Sequence, residues 1–134
     1  MCYDKRGSVN SMEQFSRTIS LVGQSAFDRV HQARVAVFGV GGVGGYVCEA
    51  LVRSGIAEID LFDRDDVSIS NLNRQIIALH STIGQDKVDA MAARLKDINP
   101  DVRVNCRKMF YLPATADEVD LSVYDFVVDA VDTI

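Results

Sequence analysis

A dense cluster of glycines follows the first apolar stretch of the chain and limits what the chain can fold into. Residues 38–50 read FGVGGVGGYVCEA, in which four of six consecutive positions are held by Gly39, Gly41, Gly42 and Gly44. Because glycine loses more backbone freedom on folding than any other residue, such a cluster is costly inside regular structure. It therefore indicates either a flexible linker or a loop whose backbone must turn sharply and approach another group closely.

The sequence around the cluster argues against a linker, because it predicts a strand directly before the glycines and a helix after them. Residues 34–38 form a short apolar run typical of a buried strand, and apolar residues then recur at helical spacing until Gly55. The same patterns predict further strands at 59–62, 102–106 and 126–131, and a helix at 88–98. Because alternating strands and helices pair through right-handed crossovers, we predict an α/β protein with a Rossmann-like, doubly wound, mainly parallel sheet flanked by helices.

The chain has 134 residues, which is enough for one domain with its own core, and three segments are expected along it. Residues 1–11 are polar and are predicted to form a disordered leader. Residues 12–32 are predicted to form a helical arm, in which Ser25 caps a short helix through His31. Residues 33–134 carry the alternating strands and helices and are predicted to form the α/β domain.

Composition and charge narrow the class of protein. A net charge of −5 argues against a protein that binds nucleic acid through nonspecific electrostatic attraction. No apolar run is long enough to span a bilayer, and the first residues lack the apolar core of a secretory signal. The three cysteines form no CxxC pair, so neither a metal knuckle nor a disulfide framework is predicted. These features predict a cytoplasmic protein without a membrane attachment.

The glycine cluster carries the pattern G-x-G-x-x-G through Gly39, Gly41 and Gly44, between a predicted strand and a predicted helix. In that pattern the first glycine permits a tight turn, the second lets the backbone approach a phosphate, and the third lets helix and strand pack closely. Asp63 follows about 20 residues later, at the end of the second predicted strand, where a carboxylate can hold ribose hydroxyls. The loop is therefore predicted to bind a nucleotide, and both NAD and ATP fit this part of the sequence.

The residues after Asp63 favour ATP and Mg²⁺ over NAD. A triphosphate that loses pyrophosphate needs cations around it, and Arg74 and Lys87 supply a planar guanidinium and a compact ammonium. Asp132, at the end of the fourth predicted strand, offers an oxygen ligand for Mg²⁺. Because ligands of open parallel sheets bind at the carboxyl ends of strands, Asp63 and Asp132 are predicted to face the same site.

Four motifs, in order along the chain, resemble one known family. They are GVGGVGG at 39–45, LFDRDDVSISNLNRQ at 61–75, GQDK at 84–87 and DAVDT at 129–133. Together they are similar to the ubiquitin-activating-enzyme-like adenylating family, which includes the activators of molybdopterin synthase and of thiamine synthesis. The likeness runs from about Phe15 to the last residue.

Two further stretches are similar to one branch of that family. They are NRQIIALHSTIGQDKVDAMAARLKDINP at 73–100 and FYLP at 110–113. The branch is that of the tRNA threonylcarbamoyladenosine dehydratases. The resemblance implies that a carboxylate attacks the α-phosphate of Mg·ATP, displaces pyrophosphate and forms an acyl-adenylate. In this branch the carboxylate belongs to N6-threonylcarbamoyladenosine in tRNA, and closure of its ring releases AMP.

The resemblance also assigns roles to particular residues and implies partners. The residues that would bind the nucleotide are Gly39, Gly41, Gly42, Gly44, Asp63, Asp65 and Gln75. The catalytic residues that would face the phosphates are Asn71, Arg74 and Lys87. Asp132 would bind Mg²⁺, and Arg17 would reach into the ATP site of a partner subunit, which would make the active unit a homodimer. Modified tRNA is the expected substrate, and a cysteine desulfurase is the expected sulfur-transfer partner.

Members of that family are longer than this chain, which stops directly after the Mg²⁺ motif. We therefore expect a truncated form that binds ATP weakly and turns over poorly alone, with its fourth strand left as an unprotected sheet edge. Three alternative functions remain open at this point. They are adenylation of the C-terminal glycine of a ubiquitin-like sulfur carrier, an NAD-binding oxidoreductase or sensor, and a non-catalytic partner that keeps the fold.

Overall fold

The computed structural model describes residues 12–132, so the predicted leader at 1–11 lies outside the described residues. Its helices are α1 (Ser16–Val22), α2 (Gln24–Gln32), α3 (Gly44–Ser54) and α4 (Lys87–Ile98). Its strands are β1 (Arg34–Phe38), β2 (Glu58–Phe62), β3 (Arg103–Arg107) and β4 (Phe126–Asp129). No helix among the described residues is both long and apolar enough to cross a bilayer.

The four strands form one parallel sheet in the order β3-β2-β1-β4, which confirms the predicted fold class. Phe38, the last residue of β1, lies opposite Phe62 of β2 and Asp129 of β4. The carboxyl ends of these three strands therefore meet at one edge of the sheet. The chain order reverses between β1 and β4, and a reversal of this kind leaves a crevice for ligands at that edge.

One face of the sheet packs against α3 and α4, and this contact forms the main hydrophobic core. Alternate residues of the strands point to this face because side chains alternate along a strand. The core includes Val35, Val37, Ile59 and Leu61 from the strands, Cys48 and Val52 from α3, and Val88, Met91 and Leu95 from α4. Burying each of the valine, leucine, isoleucine and methionine side chains contributes about 1.5–3 kcal/mol relative to leaving it in water, so this contact is a main source of stability for the sheet.

The opposite face is covered by the segment that connects β3 to β4, and it contains a buried charge. Asp60 of β2 is fully buried and accepts hydrogen bonds from Arg34 Nη2 (2.9 Å), Asn105 Nδ2 (2.7 Å) and Tyr124 OH (2.6 Å). Burial alone would raise the pKa of Asp60, but these donated bonds outweigh it and hold the pKa below its ordinary value. The network ties the β3–β4 segment to the sheet.

Asp60→Asn is expected to lower the free energy of unfolding at pH 7 by about 3 kcal/mol, because the half-buried guanidinium of Arg34 and the hydroxyl of Tyr124 lose a buried, charged acceptor. The pKa of Asp60 is depressed in the folded protein, so its contribution is full above the ordinary carboxyl pKa of about 4 and is lost as the pH falls through the folded value. Urea unfolding of both proteins from pH 7 to pH 3 should therefore show their difference shrinking. Asp97→Asn, at an exposed position of α4, should leave the curve unchanged.

The predicted cap of the second helix is wrong. Helix α2 begins at Gln24, one residue before Ser25, and its N-cap is Gly23 with φ +82° and no capping side chain. Because Gly23 alone reverses the chain between α1 and α2, Ser25 falls inside the first turn. Its hydroxyl instead accepts a hydrogen bond from Arg29 Nη1 at 3.2 Å.

The helical arm is held to the sheet domain at Gly55, which ends α3 in a left-handed conformation with φ +114°. His31 donates from Nδ1 to the Gly55 carbonyl oxygen at 2.7 Å. A Cβ at Gly55 would lie 2.5 Å from Cε2 of Phe27, whose ring is fully buried. The arm therefore docks where glycine leaves room for an aromatic ring.

Gly55→Ala is expected to destabilise the protein by about 2–4 kcal/mol, because it adds a steric clash with Phe27 to the strain of a positive φ. Gly84→Ala is the control, since Gly84 also has a positive φ of +84° but nothing within 4 Å of its added Cβ. Its expected loss is only about 1 kcal/mol. Thermal or urea unfolding measures both, and equal losses would contradict a packing role for Gly55.

Strand β4 is shorter than predicted and forms an edge of the described sheet. It ends at Asp129: Ala130 still donates to Phe38 O at 2.8 Å, but the amide of Val131 donates to the side chain of Asp129 at 3.2 Å and no longer to a neighbouring strand. Its outer side chains are open, with Phe126 67% exposed. Among residues 12–132 it pairs only with β1, as expected for an uncovered edge.

Candidate nucleotide-binding cleft

A cleft of about 480 Å³ opens at the carboxyl edge of the sheet, beside the loop that joins β1 to α3. Most of the residues predicted for the site line this one cleft: Gly39, Gly41, Gly42, Asp63, Asp65, Asn71, Arg74, Gln75, Lys87 and Asp132. Gly44 is the buried first residue of α3 and does not line the cleft, and Arg17 lies on α1 at an exposed position that is not part of the cleft. The structure thus brings together side chains from three separate stretches of the chain.

Two glycines of the loop are required by the packing of the protein itself. Gly39 has φ +87°, and an added Cβ would lie 2.7 Å from the carbonyl oxygen of Ala130. An added Cβ at Gly44 would lie 1.7 Å from the carbonyl oxygen of Gly39, a distance that no side chain can occupy. These positions serve the tight turn and the close approach of α3 to the loop.

Gly41 and Gly42 are different, because the protein itself has room for a side chain there. An added Cβ would lie 3.7 Å from Gln75 Nε2 at Gly41 and 3.6 Å from Arg74 Cγ at Gly42, which are ordinary contacts. Both residues line the cleft. Glycine at these positions therefore leaves bare backbone facing the cleft, which is the arrangement that a closely bound phosphate needs.

The first turn of α3 is open to an anion. Its N-cap, Val43, supplies no capping side chain, and the first helical bond runs from Gly45 N to Gly41 O at 3.1 Å. Within residues 12–132, no acceptor pairs with the amides of Gly41 and Gly42. An uncapped helix start combines free N–H groups with the positive end of the helix dipole, so it favours a phosphate at this place.

Asp63 lies at the end of β2, 7% exposed, and both of its carboxylate oxygens accept backbone hydrogen bonds. Oδ2 accepts from the amide of Val40 in the glycine loop at 2.8 Å, and Oδ1 accepts from the amide of Asp65 at 2.8 Å. Each carboxylate oxygen has a second lone pair. Asp63 therefore keeps acceptor capacity for a ribose hydroxyl in the cleft.

Lys87 is the first residue of α4 and is 7% exposed, although it lines the cleft. Its Nζ donates to Asp65 Oδ2 at 3.2 Å, and its amide donates to the Asp65 carbonyl at 3.0 Å. Lys108 stands outside the cleft between two carboxylates, with ion pairs to Asp66 at 3.1 Å and to Asp86. These contacts hold the start of α4 against the loop after β2 and so fix the ammonium of Lys87.

Asn71, Arg74 and Gln75 come from a short helical turn and the residues after it. Asn71 Oδ1 accepts from the amide of Ser68 at 2.9 Å, so part of the role of this side chain is to shape the turn. Arg74 Nη1 donates to Ser70 O at 3.1 Å, which steadies an otherwise exposed guanidinium. Gln75 is 7% exposed, and its buried Oε1 has no partner within the described residues.

Asp132 also lines the cleft, and it lies three residues beyond the end of β4 instead of directly at the strand end as predicted. No group of three or more histidine, cysteine or acidic side chains among residues 12–132 can hold a metal by itself. Mg²⁺ in nucleotide sites is bound through one or two carboxylates, water and phosphate oxygens. A single carboxylate facing a phosphate site therefore fits Mg²⁺ that arrives with a nucleotide.

Sequence reasoning missed an aromatic wall of the cleft. The rings of Phe38 and Phe62 stack with centroids 4.3 Å apart, and the ring of Tyr111 lies 4.9 Å from that of Phe38. Arg64 lies over the ring of Phe110 at 4.5 Å, and Phe110 also lines the cleft. The signal was present, since both strands before the site end in phenylalanine. These residues resembled ordinary strand core.

A parallel sheet with a glycine loop, an open helix start and an acidic residue after β2 defines a Rossmann-type nucleotide-binding domain. The chain belongs to the ThiF family, whose model matches residues 15–134.

Two of the relatives that the chain matches are about twice its length. It is 49% identical over 123 residues to the tRNA threonylcarbamoyladenosine dehydratase of Bacillus subtilis, a match that covers 92% of this chain and 48% of the relative. It is 33% identical over 129 residues to the sulfur carrier protein adenylyltransferase of Thermus thermophilus, covering 95% and 47%. The chain therefore spans about half the length of these curated relatives.

The fold also matches solved structures of Escherichia coli tRNA N6-threonylcarbamoyladenosine dehydratase. The complex of that enzyme with ATP superposes with a TM-score of 0.88 at 40% identity, covering 92% of this chain and 51% of the enzyme. Its complex with AMP gives a TM-score of 0.89 at 39% identity, with the same coverage. ATP and AMP are thus ligands of a close structural neighbour.

Proposed function

We propose that this chain is the ATP-binding part of an enzyme that adenylates a carboxylate. The observation that carries the proposal is the convergence of Arg74, Lys87 and Asp132 on the cleft that holds the bare amides of Gly41 and Gly42. A dinucleotide needs little beyond the loop for its pyrophosphate, whereas a reacting triphosphate needs this added charge. The ATP complex of the Escherichia coli neighbour supports the same choice of nucleotide.

Each residue has a defined part in the proposed reaction. The α3 amides and Lys87 bind the polyphosphate, and Arg74 neutralises the charge that moves onto pyrophosphate when the bond between the α- and β-phosphates breaks. The substrate carboxylate forms the new bond to the α-phosphorus. Asp132 would hold Mg²⁺, which supplies further positive charge to the phosphate oxygens when it is bound. Asn71 and Gln75 complete the polar wall beside Arg74.

We propose N6-threonylcarbamoyladenosine in tRNA as the substrate, because relatives from Bacillus subtilis, Haemophilus influenzae and Escherichia coli are all named for its dehydration. After adenylation, a nucleophile within the nucleoside attacks the activated carboxyl carbon, loses its proton and displaces AMP, so the net change in the nucleoside is loss of water. Incubating the full-length protein with ATP and modified tRNA should give a nucleoside lighter by one water in mass spectrometry. An unchanged nucleoside would contradict this substrate.

A sulfur-carrier protein is the second candidate substrate, because the Thermus relative is named as a sulfur carrier protein adenylyltransferase. In that case the C-terminal carboxylate of the carrier would react in place of the nucleoside, and a cysteine desulfurase would be the sulfur-transfer partner. ATP–pyrophosphate exchange stimulated by a carrier protein and not by tRNA would favour this alternative. Stimulation by modified tRNA alone would exclude it.

We further propose that the active unit is a homodimer in which Arg17 of one subunit serves the cleft of the other. Mixed dimers of Arg17→Ala and Asp132→Asn, each inactive alone, should then recover about a quarter of the wild-type rate of ATP consumption with substrate, because each heterodimer keeps one intact site. Arg29→Ala, which changes an exposed arginine of α2, should retain full activity alone. Absence of recovery in the mixture would contradict a role for Arg17 across the interface.

A further inference from the structure

We infer that Asp63 is a positioning residue. It holds the glycine loop and Lys87 in the relative positions that they need to bind the same polyphosphate. This inference rests on the proposed binding of ATP in the cleft and goes beyond the ribose contact expected of an acidic residue at this place. It follows from what the carboxylate touches within the protein itself. The contacts on both sides of Asp63 lead to groups that the phosphates need.

The first contact is with the glycine loop. The amide of Val40, between Gly39 and Gly41, donates to Asp63 Oδ2 at 2.8 Å in a buried environment, and Val40 itself is fully buried. The preceding amide, Gly39 N, donates to Phe62 O at 2.8 Å. Two successive loop amides are thus tied to the end of β2, and the next two, at Gly41 and Gly42, are left for a ligand.

The second contact leads to the cation. Asp63 Oδ1 accepts a hydrogen bond from the amide of Asp65 at 2.8 Å. Asp65 in turn accepts two hydrogen bonds from Lys87, one from the amide to its carbonyl oxygen and one from Nζ to its carboxylate. One carboxylate therefore connects the loop that offers amides to the segment that anchors the ammonium. Because Asp63 is 7% exposed, these bonds are shielded from competition with water.

Loss of this carboxylate should weaken phosphate binding even when no ribose hydroxyl is present. In Asp63→Asn, one of the two backbone amides faces the side-chain NH₂ group instead of an acceptor, so the loop or the Asp65 segment must move. A buried donor without an acceptor is costly. A ribose-only role for Asp63 makes the opposite prediction, because then the substitution matters only to a nucleotide that carries the hydroxyls.

The test is a double-mutant cycle between the protein and its ligand. Affinities of wild type and Asp63→Asn for Mg·ATP and for Mg·2′,3′-dideoxy-ATP would be measured by calorimetry on the full-length protein. We expect Asp63→Asn to lower the affinity for the dideoxy nucleotide by at least about tenfold. Asp97→Asn, which changes an exposed carboxylate near the far end of α4 and outside the cleft, is the control and should change neither affinity.

Each outcome separates the inference from the proposed function. Equal affinity of wild type and Asp63→Asn for the dideoxy nucleotide would overturn the inference and leave ATP binding intact. Failure of the wild type to bind either nucleotide would overturn the proposed function instead. If Asp63→Asn does not fold, amide hydrogen exchange in the wild type provides a second test of the inference. Val40 and Asp65 should exchange slowly, and Gly41 and Gly42 fast until ATP is added; fast exchange at Val40 would overturn the inference.

Discussion

Gly44→Ala is expected to lower the free energy of unfolding by about 3 kcal/mol or more. The added methyl group would lie 1.7 Å from the carbonyl oxygen of Gly39, which is backbone and cannot swing aside as a side chain could. Alanine is otherwise the better helix former by about 1 kcal/mol, so the measured loss is a lower bound on the cost of the clash. Urea unfolding at an unchanged m-value measures it.

Gly41→Ala is the matched comparison within the same loop. Its methyl group would meet only Gln75 Nε2, at 3.7 Å, so stability should change by no more than about 0.5 kcal/mol. ATP affinity should nevertheless fall, because the methyl group projects from the wall where the phosphate is proposed to lie. Equal stability losses in the two variants would contradict the separate roles of packing and ligand approach within the loop.

Lys87→Met is expected to lower the rate of ATP-dependent adenylation by about 100- to 1,000-fold, which is the usual loss when one preorganised charge-stabilising group is removed from an active site. The side chain is almost fully buried in the cleft wall and is held by Asp65, so it is already positioned before the nucleotide arrives. Methionine keeps the unbranched stem and removes the charge. Pyrophosphate release with the full-length protein and its substrate measures the effect.

Lys96→Met is the control for that substitution, since Lys96 lies on the same helix at an exposed position outside the cleft. It should leave both the rate and the affinity for ATP unchanged. A similar loss in both variants would mean that the general charge of α4 matters, and not a specific ammonium in the cleft.

Local signals in the sequence predicted the parts of the fold that depend on neighbouring residues. The strand–glycine–helix unit was predicted because its pattern is local, and Gly44 is constrained by the carbonyl of Gly39 five residues before it. The end of α4 was predicted from Pro100, and the residue before it, Asn99, does leave the helical region at φ −140° and ψ 102°. The first two strands differ from prediction by at most one residue.

Features that depend on distant residues were missed. The bonds to Asp60 come from Arg34, Asn105 and Tyr124, which lie 26, 45 and 64 residues away in the sequence. Nothing in an apolar strand with one aspartate indicates such partners. The early end of β4 was missed for another reason, since it accompanies a bond from the amide of Val131 to the side chain of Asp129, which an apolar run does not indicate.

The charged residues of the site were predicted from the sequence, but its aromatic wall was not. Charged residues stand out along a sequence, so Arg74, Lys87 and Asp132 were selected, and the structure places all of them on one cleft. The aromatic wall was missed because Phe38 and Phe62 satisfy the strand pattern equally well as core residues. Their second role depends on the cleft that the strand ends create.

A crystal structure of the protein with Mg²⁺ and a non-hydrolysable ATP analogue tests the proposed site most directly. It should show the triphosphate over the amides of Gly41 and Gly42, with the Arg74 guanidinium and the Lys87 ammonium at about 3 Å from phosphate oxygens. Asp132 should lie on the Mg²⁺ side of the phosphates. A nucleotide bound elsewhere, or one in this cleft with its phosphates turned away from the glycine loop and both cations, would contradict the proposal.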